Sequence, residues 1–270
     1  MKMIERHKPY MLNGLRLLIV DRGVLLVDFF IATGVAFFIQ FLVWTSIYTQ
    51  DEEINGFSFS NLMIYCALTI FLSRLHNCYD LIEEMEHEII DGKLEVLMAR
   101  PTHLLIQKFF TYLGGGALYI LPVFLVCTLF WIQQDFFFAS SLSSTLVYLT
   151  ILCSFLLIGV ILSFSIGMIL AMSIFWLMKA DFVLAFLTTV VAFLGGAIIP
   201  PTFWPEFIRP LMEYNPFQYF ISAPAQFIIH GDIHKGLQDL GISLLYVLAL
   251  LLLLKCLWDR ALKNYSGGGG

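Results

Sequence analysis

The chain has 270 residues, of which 59% are hydrophobic and 13% charged, with a mean hydropathy of +0.85 and a formal net charge of -5. Soluble domains carry about 25% charged residues, so a water-soluble domain is excluded and an all-α integral membrane protein is expected. The acidic excess is local, and no nucleic-acid partner is expected.

Residues 1–23 set Met11, Leu12, Leu15, Leu18 and Ile19 among Arg6, Lys8, Arg16 and Arg22. This basic amphipathic pattern suits a helix lying in the inner headgroup layer, and equally a basic tail that only fixes topology. A helix needs about 20 mostly apolar residues to cross a bilayer. Six runs within residues 24–266 approach that length: Val24–Tyr48, Phe59–Cys78, Phe109–Ile132, Thr145–Met178, Phe182–Ile199 and Ile242–Trp258. The first run is too long for a cleavable leader and lacks a small-residue cleavage site.

Short loops rich in Lys and Arg stay in the cytoplasm. With the N-terminus inside, the inner segments collect thirteen of the 15 basic residues: Lys2, Arg6, Lys8, Arg16, Arg22, Arg74, Lys93, Arg100, Lys108, Lys179, Lys255, Arg260 and Lys263. The outer loops keep Arg209 and Lys235, together with the acidic Asp51, Glu52, Glu53 and Asp135. Both termini are therefore expected inside, in a multi-pass protein of the cell (inner, cytoplasmic) membrane.

Between the second and third runs lies a cytoplasmic segment, residues 79–106, that reads like soluble protein. It holds seven of the 20 acidic residues: Asp80, Glu83, Glu84, Glu86, Glu88, Asp91 and Glu95. Leu81, Ile82, Met85 and Ile89 fall on one side of a helix at 3.6-residue spacing. Gly92 is a left-handed stop, Leu94, Leu97 and Met98 mark a second short helix, and Arg100 must end it before Pro101. Thr102 is positioned to cap the third span. Two short amphipathic helices with a sharp bend suit docking onto another protein better than a solvated loop.

Residues 200–240, after the fifth run, contain six of the nine prolines: Pro200, Pro201, Pro205, Pro210, Pro216 and Pro224. They are interleaved with Phe203, Trp204, Phe207, Phe217, Tyr219, Phe220 and Phe227. A segment apolar enough to enter the membrane and broken too often to cross it is read as re-entrant or interfacial helices on the outer side. The glycines Gly114, Gly115, Gly116, Gly195 and Gly196 fit helix packing and a substrate path equally.

No P-loop sequence, HExxH, GxSxG or clustered His/Cys ligand set occurs. His76, His87 and His103 flank the acidic segment without metal-site spacing and read as surface or interfacial histidines. Cys66, Cys78, Cys127, Cys153 and Cys256 read as small hydrophobes in or beside the spans. No catalytic, cofactor or metal residue is expected in this chain. The runs also lack an ionisable residue near their centres, where proton and ion relays sit, so the driving energy is expected from another subunit.

These pieces resemble the membrane (permease) subunit of a type-2 ABC exporter, in the branch that includes daunorubicin and viologen export systems. Ile89, Gly92, Leu94, Glu95, Leu97, Met98, Arg100 and Pro101 are similar to that family's "I-x-x-G-x-L-[DE]-x-L-[LM]-x-R-P" between spans two and three. Pro216, Phe217, Tyr219, Pro224 and Gly231 are similar to its "P-F-x-Y…P…G", and the tail Trp258–Ser266 looks like the branch's aromatic-basic ending. Gly267–Gly270 fits that ending and an appended tail alike. The resemblance implies a permease without its own ATPase site, which moves a drug-like, peptide or lipid-like amphipath outward. It implies two copies of an ABC ATPase subunit that binds ATP and Mg, and a second permease subunit, identical or not. It also implies that residues 79–106 are a coupling segment. Glu84 and Glu88 would pair with basic groups of the ATPase, Leu81, Met85 and Ile89 would fill its apolar floor, Gly92 and Pro101 would set the bend, and Arg100 would tie the segment back. A self-immunity or sensor subunit against a peptide toxin and a gradient-driven carrier are the alternative readings.

Overall fold

The computed structural model describes residues 2–20, 23, 27–48, 53–134, 142–177 and 179–264. Expectations for Arg22, residues 24–26, Asp51, Glu52, Asp135, Met178 and the tail from Tyr265 to Gly270 lie outside the described residues. The described chain is helical, with a single β-bridge between Ile54 and Phe57.

Four helices are long and apolar enough to cross a membrane: Phe29–Ile47, Leu104–Gln133, Leu142–Leu177 and Ile233–Leu262. The other two expected spans are shorter helices. α3 (Phe59–Leu75) has 17 residues and α10 (Asp181–Leu194) has 14, which at 1.5 Å per residue gives about 25 and 21 Å, less than the ~30 Å hydrocarbon core. α3 stops early because the chain turns at His76 and Asn77, where the Asn77 side chain accepts the Tyr79 N–H at 3.1 Å. α10 stops at Gly195, and Gly196 takes φ +74°, a left-handed turn that diverts the chain into the proline-rich segment.

α1 (Lys2–Val20) packs against the bundle. It crosses α6 (Leu104–Gly116) at two glycines, where a Cβ on Gly14 would stand 2.1 Å from the Thr111 oxygen and one on Gly114 would stand 2.0 Å from the Met11 oxygen. The His7 and Phe110 rings stack at 4.7 Å beside that crossing. Helix packing is therefore the role of Gly114, whereas a Cβ at Gly115 would meet nothing within 4 Å. Pro122 lacks the N–H that would continue the ladder, and the chain tightens to a 3₁₀ turn at Ala117–Tyr119 before α7 (Ile120–Gln133).

The first span begins as a π-helical turn, Asp28–Thr33, that runs into α2 (Gly34–Ile47). α8 (Leu142–Met172) is the central helix. Its apolar window is 61% buried, against 11%, 22% and 17% for the other three candidate spans, and α13 (Ile233–Asn264) packs along it. Leu162, Phe155 and Met168 of α8 are fully enclosed, together with Tyr65, Leu68 and Leu72 of α3.

Candidate functional site

The acidic segment forms α4 (Tyr79–Ile90) and α5 (Leu94–Met98), joined by Gly92 at φ +68°. The left-handed stop and the bend before Pro101 stand where the spacing places them. The cap of α6 is a correction. His103, not Thr102, holds it, accepting the Leu105 N–H on Nδ1 at 3.3 Å, because α6 starts at Leu104 and so puts residue 103 in the capping position.

The apolar side of α4 is also corrected. Leu81, Ile82, Met85 and Ile89 are 5%, 0%, 0% and 7% exposed, covered by the chain itself where α4 lies against α8 and α9 (Ile174–Leu177). A Cβ on Gly167 of α8 would stand 2.7 Å from the Cys78 Cβ, so the corner leading into α4 sits on α8 with no gap. Leu81, Met85 and Ile89 are thus not open to a partner. What α4 and α5 leave exposed is Asp80, Glu83, Glu84, His87, Asp91, Lys93 and Glu95, with Ile90 and Val96 between them.

Glu88 is a third difference. It is buried, and Lys108 of α6, itself 4% exposed, donates to it at 2.6 Å and reaches Glu84 at 3.0 Å. Glu84 and Glu88 are one helical turn apart, so the two carboxylates face the same way and repel until a cation lies between them. Burial pushes the Glu88 carboxyl above its usual range, and the Lys108 charge pulls it back. Its second oxygen has no protein partner. Glu86 points to the opposite side of α4 and accepts the Ala180 N–H at 2.9 Å. Arg100 reaches the Gln107 amide at 3.5 Å, an amide rather than an acid, and Lys93 pairs with Asp91 in solvent at 2.8 Å. That contact holds Asp91 below and Lys93 above their ordinary values.

The proline-rich segment folds back on the bundle. Pro200 and Pro201 are buried at a 3₁₀ turn (Pro201–Phe203), while Trp204 is half-buried and Pro205 exposed. α11 (Arg209–Glu213) follows, and then Asn215, whose Oδ1 accepts the N–H groups of Phe217 and Gln218 at 2.9 and 3.1 Å. Pro216 opens that turn. Phe217 packs its ring edge-on to Phe220 at 6.2 Å, and Tyr219 is enclosed, its hydroxyl donating to the Glu213 carbonyl at 3.1 Å. Pro224 falls in the first turn of α12 (Ser222–His230), where no intrahelical N–H is needed, and Gly231 closes that helix at φ +64°.

Where α10 unwinds, three orphan carbonyls are satisfied by side chains that periodicity did not single out. Asn215 Nδ2 donates to Leu194 O at 3.0 Å, the Tyr65 hydroxyl to Gly196 O at 2.7 Å, and Gln40 Nε2 to Ala197 O at 2.9 Å. Trp44 Nε1 in turn fixes the Gln40 amide at 3.0 Å. Irregular backbone at membrane depth persists only when its polar groups are met within the protein. Gln40 and Tyr65 were legible only as polar residues inside apolar runs, and Asn215 only as the residue before Pro216 in the broken segment. Lys108 had the clearer signal, a cation at the head of a span opposite two carboxylates in register.

His76 is another departure from a surface role. It is 3% exposed at the foot of α3, with neither ring nitrogen bonded to protein and its ring edge-on to Phe220 at 5.6 Å. No group of three or more His, Cys, Asp or Glu side chains suited to a metal occurs among the described residues.

Residues 35–269 match the sequence model of a family described as ABC-2 family transporter protein. No curated protein sequence matches the chain.

Proposed function

We propose that this chain, which belongs to the ABC-2 transporter family, is the permease of an exporter that carries an amphipathic cargo outward on the power of a separate ATPase. The family makes it a transmembrane subunit of an ABC transporter, a multi-pass membrane protein whose partner is an ABC ATPase. Beyond that, the reading has α3 and α10 crossing with the four long helices, both termini inside, and residues 200–231 entering from the outer side. Two ATPase copies, binding ATP and Mg, and a second permease complete it, in the cell membrane of a drug-, peptide- or lipid-exporting system.

The observation that carries the reading is the outer face of α4 and α5. Asp80, Glu83, Glu84, His87, Asp91, Lys93 and Glu95 stand exposed, together with Ile90 and Val96, which are 50% and 67% exposed. A face with five exposed carboxylates, one lysine and two exposed apolar side chains is complementary to a basic groove with an apolar floor, and charge complementarity of this kind fixes register and partner choice. Leu81, Met85 and Ile89 serve as the hinge against α8 rather than as the contact itself.

The test co-expresses the chain with an ABC ATPase subunit from the same source. Reversing Asp80 and Glu83 together to Lys is expected to weaken co-purification at least about tenfold, equivalent to ~1.4 kcal/mol, while the chain still inserts in the membrane. Undiminished assembly and ATP turnover in that variant would refute the docking face.

A further inference from the structure

We propose that Glu86 and Tyr79 yoke the docking helix to the base of α10, so that α10 is the rod through which movement of α4 reaches the re-entrant segment. The inference rests on the docking reading above and adds positioning residues to it. Glu86 Oε1 accepts the Ala180 N–H at 2.9 Å, and the Tyr79 hydroxyl donates to the Leu184 carbonyl at 3.4 Å. Ala180 immediately precedes the first turn of α10, where backbone N–H groups have no intrahelical partner and a carboxylate is favoured by the helix dipole. The two attachments lie about two turns apart on α4, at its first residue and at its eighth, and meet α10 at Leu184 in its first turn and at Ala180 just before it.

Along its length α10 is held weakly. Only Val183 and Leu187 are buried, while Phe182 and Phe186 are 75% and 50% exposed. Its far end is again bonded, through Leu194, Gly196 and Ala197, to Asn215, Tyr65 and Gln40. An element fixed at both ends and loosely packed between them passes on a displacement instead of absorbing it. The carboxylates of α4 divide the work by helical geometry. Glu84 and Glu88 share one face and hold Lys108 of α6, whereas Glu86, about 200° around the helix from Glu84 at 100° per residue, turns away from them to α10. Motion of α4 is thereby delivered to the third and fifth membrane helices together.

The test uses the full chain assembled with its ATPase. Cys153 and Cys256, the exposed cysteines, are replaced by Ser. Spin labels are placed at Phe193→Cys and Leu245→Cys, both at exposed positions. Pulsed electron resonance then reads the distance with and without ATP and vanadate. The parent is expected to show a nucleotide-dependent change. Glu86→Ala with Tyr79→Phe should lose half of it or more at unchanged ATP hydrolysis, and Glu86→Gln, which keeps an acceptor, should retain it. A full change in the double variant, or no change in the parent complex, overturns the yoke and leaves the docking reading standing. Failure of the ATPase to assemble with the parent chain overturns both. Should the double variant not fold, Tyr79→Phe alone, the loss of one hydroxyl, must shrink the change, and an unaltered change there overturns the proposal.

Discussion

Replacing Lys108 by Met isolates the buried charge cluster that holds α4 to α6. The Lys108 and Glu88 side chains are 5% and 11% exposed, whereas Glu84 is 46% exposed. The Glu84 contact therefore contributes about 0–1 kcal/mol, as a partly solvated pair does. Stranding a buried carboxylate costs about 3–5 kcal/mol. Protonation limits that cost. A carboxyl with an ordinary pKa of 4.5 sits 2.5 units below pH 7, and at 1.36 kcal/mol per unit neutralising it costs about 3.4 kcal/mol. The Lys108→Met penalty at neutral pH is thus about 3 kcal/mol. It falls by about 2.7 kcal/mol on going from pH 7 to pH 5, again at 1.36 kcal/mol per unit.

The sign follows from the direction of the shift. In the variant the folded Glu88 carboxyl is raised further, so its neutral form is the stable one. The stability it permits is fully present below the unfolded value and is lost as pH rises through the folded value. Hydrogen exchange of the peptide spanning residues 79–98 reads the local opening free energy. Protection there should drop about a hundredfold at pH 7, equivalent to ~2.7 kcal/mol, and should recover toward pH 5 after correction for intrinsic exchange. Lys108→Met with Glu88→Gln should restore most of it at pH 7, because neither buried charge remains. Unchanged protection in the single variant, or a double variant no better than the single, would refute the assignment of the cluster as a clamp.

At the α1–α6 crossing, Gly114→Ala places a Cβ where Met11 O stands at 2.0 Å, so the helices must part, with a loss of about 1–3 kcal/mol or more. Gly115→Ala meets nothing within 4 Å and should be neutral or gain up to about 1 kcal/mol in helix propensity; equal melting temperatures for the two variants in detergent would contradict the crossing. Tyr65→Phe leaves the Gly196 carbonyl without its 2.7 Å donor and should cost about 1–3 kcal/mol, measured by thermal unfolding.

α4 was legible as a helix because its apolar spacing and the left-handed Gly92 are local properties. What covers its apolar side was not, because the same stripe of Leu81, Met85 and Ile89 serves a partner's groove or the chain's own α8. The close seating at Gly167 that decides between them is a long-range contact. The carboxylates carried a readable hint that the amphipathic description flattened. Residues 84 and 88 share a face and residue 86 does not, so a single acidic side was too coarse. The proline spacing marked residues 200–240 as a broken segment, and the structure ends it earlier, since residues 233–240 already form the first turns of α13. The apolar run was also misleading at the other end. It placed the end of α10 too late, at Ile199 rather than Leu194, since apolar composition continues past Gly195 while the backbone leaves the helix. The α1–α6 contact needed two glycines a hundred residues apart to meet, which no periodicity records.

The unwound end of α10 also bears on how such a bundle is driven. Broken membrane helices form ion sites when their free carbonyls line a cavity, and a gradient-driven carrier fills and empties that site in every cycle. Here the Leu194, Gly196 and Ala197 oxygens are taken at 3.0, 2.7 and 2.9 Å by neutral donors from three separate parts of the chain. An arriving cation would have to displace Asn215, Tyr65 and Gln40, and would find no charge among them to bind. These bonds hold the bend in place and supply no exchange of charge. On the proposed yoke, a displacement of the bend would enter from the other end of α10, where Glu86 and Tyr79 bond the chain at Ala180 and Leu184, and both residues lie on the helix whose exposed carboxylates are proposed to meet the ATPase.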